Sequence, residues 1–118
     1  MSKEPILETE RLILRPITLD DAAACFSWNS DERVAKYMSY PTLTDISQTI
    51  DWIKSTLTDE KEYNFAFVLK KENKVIGTGS IGPSSKLEGY WGMGYNLHFD
   101  YWHKGYCTEA MKAIIDYV

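Results

Sequence analysis

The residues best suited to chemistry stand together late in the chain, in the run Trp102-His-Lys-Gly-Tyr-Cys-Thr-Glu-Ala110. Gly105 permits a backbone turn that a Cβ would obstruct, and the periodic stretch after it reads as a helix whose first N–H groups have no partner inside the helix. Those groups lie at the positive end of the helix dipole, so the junction suits an anion, above all a phosphate. Lys104 adds a positive charge beside the turn, and the Thr108 hydroxyl, one turn inside, can donate to a phosphate oxygen. Taken alone, one Gly and one Lys at a strand-to-helix junction fit a packing turn as well as a ligand site.

The remaining chemistry-bearing residues are sparse. His98 and His103 are the only histidines; imidazole titrates near neutrality, but their strand-end and loop positions favour solvated side chains over bases. Cys25 and Cys107 are the only cysteines, far apart and without Cys or His neighbours at ligand spacing, so neither a disulfide framework nor a metal site is expected. Cys107 falls on the apolar face of the last helical stretch and reads as packing rather than as a nucleophile. Glu109, in the first helical turn, reads as a capping carboxylate favoured by the dipole. Glu88, shortly before the turn's leading strand, is the candidate general base, and the residues otherwise leave acid and base unassigned.

The elements that must position this turn follow from periodicity. Arg11-Leu-Ile-Leu-Arg15 is a strand closed by Pro16. Thr18 with Asp21 opens a helix over Ala22 to Trp28, and a second short helix runs from Asp31 to Met38, with Val34 and Met38 on one face, until Tyr40-Pro41 breaks it. Asp45 with Gln48 makes a capping-box start for a third helix, on which Ile46, Ile50, Ile53 and Leu57 share a face. Phe65 to Leu69, the polar turn Lys71 to Lys74, and Val75 to Ile81 form an antiparallel hairpin. A further strand, Gly89 to Leu97, points Trp91, Met93, Tyr95, Leu97 and Phe99 one way and leaves Gly92 and Gly94 bare on the other, which admits a close ligand or a bulge. The last helix carries Cys107, Met111, Ile114, Ile115 and Val118 on one face. The fold class is α+β, a mainly antiparallel sheet flanked by helices.

Bulk properties bound the function. With 118 residues the chain fits a single domain, 1–118, with one core, and neither internal repeats nor a linker divide it. A formal net charge of −4 and the absence of a basic stripe argue against a nucleic-acid partner. No apolar run approaches a membrane span, and the start of the chain lacks a signal-peptide core, so a soluble, cytoplasmic protein is the expectation. Trp28, Trp52 and Tyr37 read as core or groove wall.

The segment Asn96-Leu-His-Phe-Asp-Tyr-Trp-His-Lys-Gly-Tyr-Cys-Thr-Glu-Ala-Met111, preceded by Met93-Gly-Tyr95, resembles the strand, loop and helix of GNAT N-acetyltransferases of the RimJ/RimL-like branch. Glu10-Arg-Leu-Ile-Leu-Arg-Pro16 resembles the opening of the same branch, so the likeness spans nearly the whole chain. It implies a GNAT fold and an acetyl-CoA-dependent transfer to a primary amine, a protein N-terminus or a small amine, by direct attack on the thioester. Carried over by position, Tyr95, Asn96 and Leu97 would line the pantetheine and thioester, with a backbone N–H near Asn96 or Leu97 at the oxyanion. His103, Lys104, Gly105, Tyr106, Cys107 and Thr108 would hold the pyrophosphate. The chain departs from the family's Gln/Arg-x-x-Gly-x-Gly/Ala pattern at Trp102 and Cys107. The resemblance also implies a further strand, helix and strand beyond Val118, so the domain reads as truncated after the pyrophosphate-binding helix. A sheet edge left open in this way suits a homodimer, and the competing reading is a non-catalytic acyl-CoA-binding or self-associating module. A nucleotide P-loop is disfavoured because the Gly-x-x-x-x-Gly-Lys-Ser/Thr run is missing.

Overall fold

A computed structural model describes residues 5–36, 42–58, 62–83 and 91–117. Five antiparallel strands, β1 (Leu7–Glu8), β2 (Leu12–Pro16), β3 (Tyr63–Leu69), β4 (Lys74–Pro83) and β5 (Trp91–Leu97), lie side by side in chain order. Helices α1 (Ala22–Asn29), α2 (Glu32–Ala35) and α3 (Ile46–Thr58) are inserted between β2 and β3, and α4 (Tyr106–Tyr117) follows β5. This is the α+β, antiparallel arrangement expected from the sequence, with the two-residue β1 added at one edge.

The sheet is covered on both faces, and β3 records this most clearly. Its apolar run is not an alternation, because every residue from Asn64 to Leu69 is buried. Phe65, Phe67 and Leu69 join Leu12, Leu14, Ile76, Ile81 and Leu97 under the α4 residues Tyr106, Ala110, Met111 and Ile114. On the other face Ile17, Ala22, Cys25, Trp28, Val34 and Ile53 form a second cluster beneath α1 and α3. Between β3 and β4 the register shifts: Phe67 faces Gly77 and Val68 faces Val75, so Ile76 is the extra residue of a bulge. Gly77 follows it because a Cβ there would sit 2.4 Å from the Asn96 carbonyl oxygen.

Two helical faces differ from the sequence reading. On α3 the buried positions are Thr49, Ile53 and Thr56, whereas Ile46 and Leu57 are exposed. The stripe rotates because both threonine hydroxyls are satisfied inside: Thr56 donates to the Ile53 carbonyl at 2.8 Å, and Thr49 accepts from the Asn29 amide at 3.1 Å. On α4 the buried face runs through Tyr106, Ala110, Met111 and Ile114, with Cys107 half-buried and Ile115 exposed. Aliphatic residues alone misplace this face, since Tyr106 and Ala110 bury more completely than the larger aliphatic Ile115.

The helix starts follow local hydrogen bonding. A short 3-10 turn, Leu19–Asp21, precedes α1. There Asp21 accepts from the Thr18 N–H at 2.8 Å while Arg15 grips it with two N–H groups at 2.7 and 2.9 Å. For α2, Asp31 accepts from the Arg33 N–H at 2.9 Å. At α3, Gln48 Oε1 takes the Thr44 and Asp45 N–H groups at 3.0 and 3.1 Å. Tyr37, Met38, Tyr40, Pro41, Gly89 and Val118 lie outside the described residues.

Candidate functional site

The chain leaves β5 through a 3-10 turn, Phe99–Tyr101, capped by His98, whose Nδ1 accepts from the Asp100 N–H at 3.1 Å. It then reverses through two left-handed residues, His103 at φ +63 and Gly105 at φ +80. Gly105 takes that conformation freely, whereas His103 holds it at a cost of about 1 kcal/mol or more. The first intrahelical bond is from the Glu109 N–H to the Gly105 carbonyl at 3.0 Å. The N–H groups of Tyr106, Cys107 and Thr108 therefore have no acceptor within α4 and sit at its positive end, with exposed Lys104 beside them.

The turn is braced from the opposite end of the sequence. Arg11, just before β2, donates its backbone N–H to Glu109 at 2.9 Å, its Nε to the same carboxylate at 2.7 Å, and Nη1 to the Lys104 carbonyl at 2.9 Å. Thr9 also donates its hydroxyl to Glu109. The guanidinium lies over the Tyr106 ring, 4.4 Å from its centroid. Burial pushes the Glu109 carboxyl upward, but the bonds from Thr9 and Arg11 outweigh it and hold the group below the usual carboxylate range. Glu109 thus stands in the first turn of α4, where the sequence reading puts it, and in addition tethers the helix to the strand start. In the sequence pattern Arg11 reads only as part of a strand.

Strand β5 supplies the second component. It pairs with β4 on one side only among the described residues, with Leu97 opposite Gly77, Asn96 opposite Thr78 and Tyr95 opposite Gly79. The His98 N–H bonds the Ile76 carbonyl at 2.8 Å, and antiparallel alternation then turns the peptide groups of Asn96 and Gly94 toward β4 and those of Leu97 and Tyr95 outward. The Trp102 indole confirms the direction: its N–H donates to the Leu97 carbonyl from the open side at 2.9 Å. Trp102 also packs against both apolar clusters and lies 4.8 Å from the Phe99 ring, so it wedges the two layers together where β5 ends.

Beside β5, on the α1 and α3 face, lies a cleft of about 360 Å³. Its floor includes Thr78, Ser80, Gly94 and Asn96, and its walls carry Asn29, Leu43, Gln48 and Trp52. The bare position expected at Gly94 opens here, since a Cβ would meet only Ser80 Oγ, at 3.4 Å. Among the described residues that line it, none is charged. Trp52 is indeed groove wall, while Trp28 is core.

Burial pushes the Cys25 thiol up to about 12, with Asp21 adding to the effect, and the Cys107 thiol up to about 11. Both thiols are therefore protonated at neutral pH and poor nucleophiles. Among the described residues no three His, Cys, Asp or Glu side chains gather as metal ligands, and no helix is long and apolar enough to cross a membrane. Glu88 lies outside the described residues.

The antiparallel sheet, with β5 at its edge among the described residues and a glycine turn leading into α4, has counterparts among known proteins. Residues 11–118 match the model of the acetyltransferase (GNAT) domain, and the chain belongs to that family. It is 38% identical over 114 residues to an uncharacterised N-acetyltransferase, p20, of Bacillus licheniformis, covering 94% of this chain and 64% of that relative. Its fold matches the crystal structure of a GNAT-family acetyltransferase from Bacillus anthracis with a TM-score of 0.81 and 26% identity, over 96% of this chain and 65% of that one. RimL, a ribosomal L7/L12 α-N-protein acetyltransferase solved in complex with coenzyme A, shares the fold at a TM-score of 0.80 and 13% identity, over 96% and 67% of the two chains. The chain thus spans about two-thirds of the length of these proteins.

Proposed function

We propose that this chain binds acetyl-CoA along the open edge of β5 and on the turn of residues 103–108, and that it serves transfer of the acetyl group to a primary amine. The observation that carries the reading is the continuity of the two components. The outward peptide groups of Tyr95 and the outward N–H of Leu97 lie on the strand whose end packs, through Leu97, in one cluster with Tyr106 at the start of α4, where the N–H groups of Tyr106, Cys107 and Thr108 stand. An extended amide-bearing arm pairs with the first, and a diphosphate with the second. RimL, with its bound coenzyme A, supports this assignment by fold.

In this reading the amine nitrogen attacks the thioester carbonyl carbon, the tetrahedral intermediate collapses, and the coenzyme A thiolate leaves and takes up a proton. The outward N–H of Leu97 or Tyr95 stabilises the developing oxyanion; Asn96 contributes its side chain to the cleft instead, because its peptide group faces β4. The amine approaches through the cleft beneath Trp52. An α-amine, with a pKa of about 7.7–8.0, needs only a modest base to reach its neutral form, for which Glu88 is the candidate. The RimJ/RimL-like branch, a cytoplasmic location and a domain of which 1–118 forms the acyl-CoA-binding part complete the proposal.

Calorimetry with acetyl-CoA tests the first step, and absence of binding at millimolar ligand would overturn it. A thiol-release assay over peptide N-termini and small amines tests the second. The second reading, self-association through the open edge of β5, is separated by light scattering with and without acetyl-CoA, since a dimer that the ligand dissociates would place both on one edge.

A further inference from the structure

The sheet, rather than sequence proximity, brings Arg11 to the Gly105 turn, and its contacts go beyond those of a brace. We propose that Arg11 is a phosphate-site residue, which cancels the charge of Glu109 in the first turn of α4 and offers Nη2 to the diphosphate of acyl-CoA. The inference rests on the acyl-CoA reading above.

Glu109 poses an electrostatic conflict. A carboxylate in the first turn stabilises a helix, yet it opposes a phosphate arriving at the same N–H groups. Left alone it would offset Lys104, and Glu10 adds further negative charge near Arg11. Arg11 resolves the conflict by pairing with Glu109 through Nε at 2.7 Å, in a contact where the carboxylate is 18% exposed and the guanidinium 40%. Nε and Nη1 are committed, to Glu109 and to the Lys104 carbonyl. Nη2 has no acceptor among the described residues and lies 3.4 Å from the point where a Cβ of Gly105 would stand. A guanidinium stacked on Tyr106, with Nε and Nη1 committed and Nη2 free beside the turn, keeps one charge-assisted donor for a single phosphate oxygen.

The test compares acetyl-CoA affinity in wild type, Arg11→Ala, Glu109→Gln and the double variant, at low and high salt. Arg11→Ala is expected to weaken binding about tenfold at low salt and less at high salt, because the site is partly exposed. Glu109→Gln should bind at least as tightly as wild type, and the double variant more tightly than Arg11→Ala alone. A purely structural brace predicts that Glu109→Gln and Arg11→Ala weaken binding alike, since loss of either partner would loosen the turn equally. The proposal is overturned if Arg11→Ala binds within twofold of wild type, if Glu109→Gln is as weak as Arg11→Ala, or if the double variant shows no recovery. Should Arg11→Ala fail to fold, Glu109→Gln against wild type decides alone: equal or tighter binding supports the proposal, weaker binding removes it. A wild-type chain that does not bind acetyl-CoA would instead remove the acyl-CoA reading itself.

Discussion

The turn after β5 and the cleft beside it adjoin the same strand but are assembled in opposite ways. The turn takes its unpaired helix-start N–H groups from three consecutive residues, Tyr106, Cys107 and Thr108, and needs one left-handed glycine to aim them. The cleft draws its lining from separate segments between Ile17 and Asn96, and its two consecutive runs, residues 78–80 and 94–96, form one floor only when β4 and β5 are in register. A contiguous site tolerates change everywhere except at a few backbone positions. A distributed site depends on the packing of whole elements, so small losses at many places weaken it gradually.

The largest effect should come from the turn. Gly105→Val forces a β-branched residue to φ +80 and sets its Cβ 3.4 Å from Arg11 Nη2, so acetyl-CoA binding should fall about 100-fold or more while the melt stays cooperative. Unchanged affinity by calorimetry would break the comparison at its stronger end. Next comes Asp21, which anchors the α1 side of the cleft. Burial pushes its carboxyl up, but the Arg15 fork and the Thr18 N–H hold it below the usual range. Its folded pKa being depressed, the stability it adds is present above the unfolded value of about 3.9 and is lost as pH falls through the folded value. Asp21→Asn should therefore cost about 1–3 kcal/mol at pH 7, between the surface and buried limits for an ion pair, and the gap from wild type should close below about pH 4. Thermal melts across that range check it.

Trp52→Ala addresses the cleft directly. It should raise the acceptor KM about tenfold and leave the acetyl-CoA Kd unchanged, as expected for one aromatic wall of a distributed site. A matching loss of acetyl-CoA affinity would show that the two regions are not separable. The smallest effect belongs to Cys107. With its thiol pushed up to about 11 and half-buried, alkylating reagent at pH 8 should react slowly, and Cys107→Ala should keep acetyl-CoA affinity within about twofold.

The same contrast explains what could be read from the sequence. The turn was legible because Gly105, Lys104 and the helix start are neighbours in the chain, and the sheet class followed from apolar runs such as Phe65 to Leu69. The clamp was not: Arg11 and Glu109 lie 98 residues apart, and only the pairing of β2 within the sheet and the packing of α4 beneath it bring them together. The cleft was equally hidden, although the bare Gly94 pointed to an opening on that face. On α3 the apolar period misdirected the eye, because Thr49 and Thr56 satisfy their hydroxyls internally and take core positions that Ile46 and Leu57 leave. Gln48 shows the limit of a local signal. Its capping role was readable from spacing to Asp45, but its place in the cleft wall was not.

The clamp also sets a timetable for synthesis. Thr9 and Arg11 leave the ribosome long before Glu109 exists, and at about 5–20 residues per second they wait about 5–20 s for their partner. Closing so long a loop comes late in folding, after the local β3–β4 hairpin has formed. The Gly105 turn is thus among the last parts of the sheet's surroundings to be locked. The proposed acyl-CoA site of a nascent chain would be complete only once its first and last described elements have met.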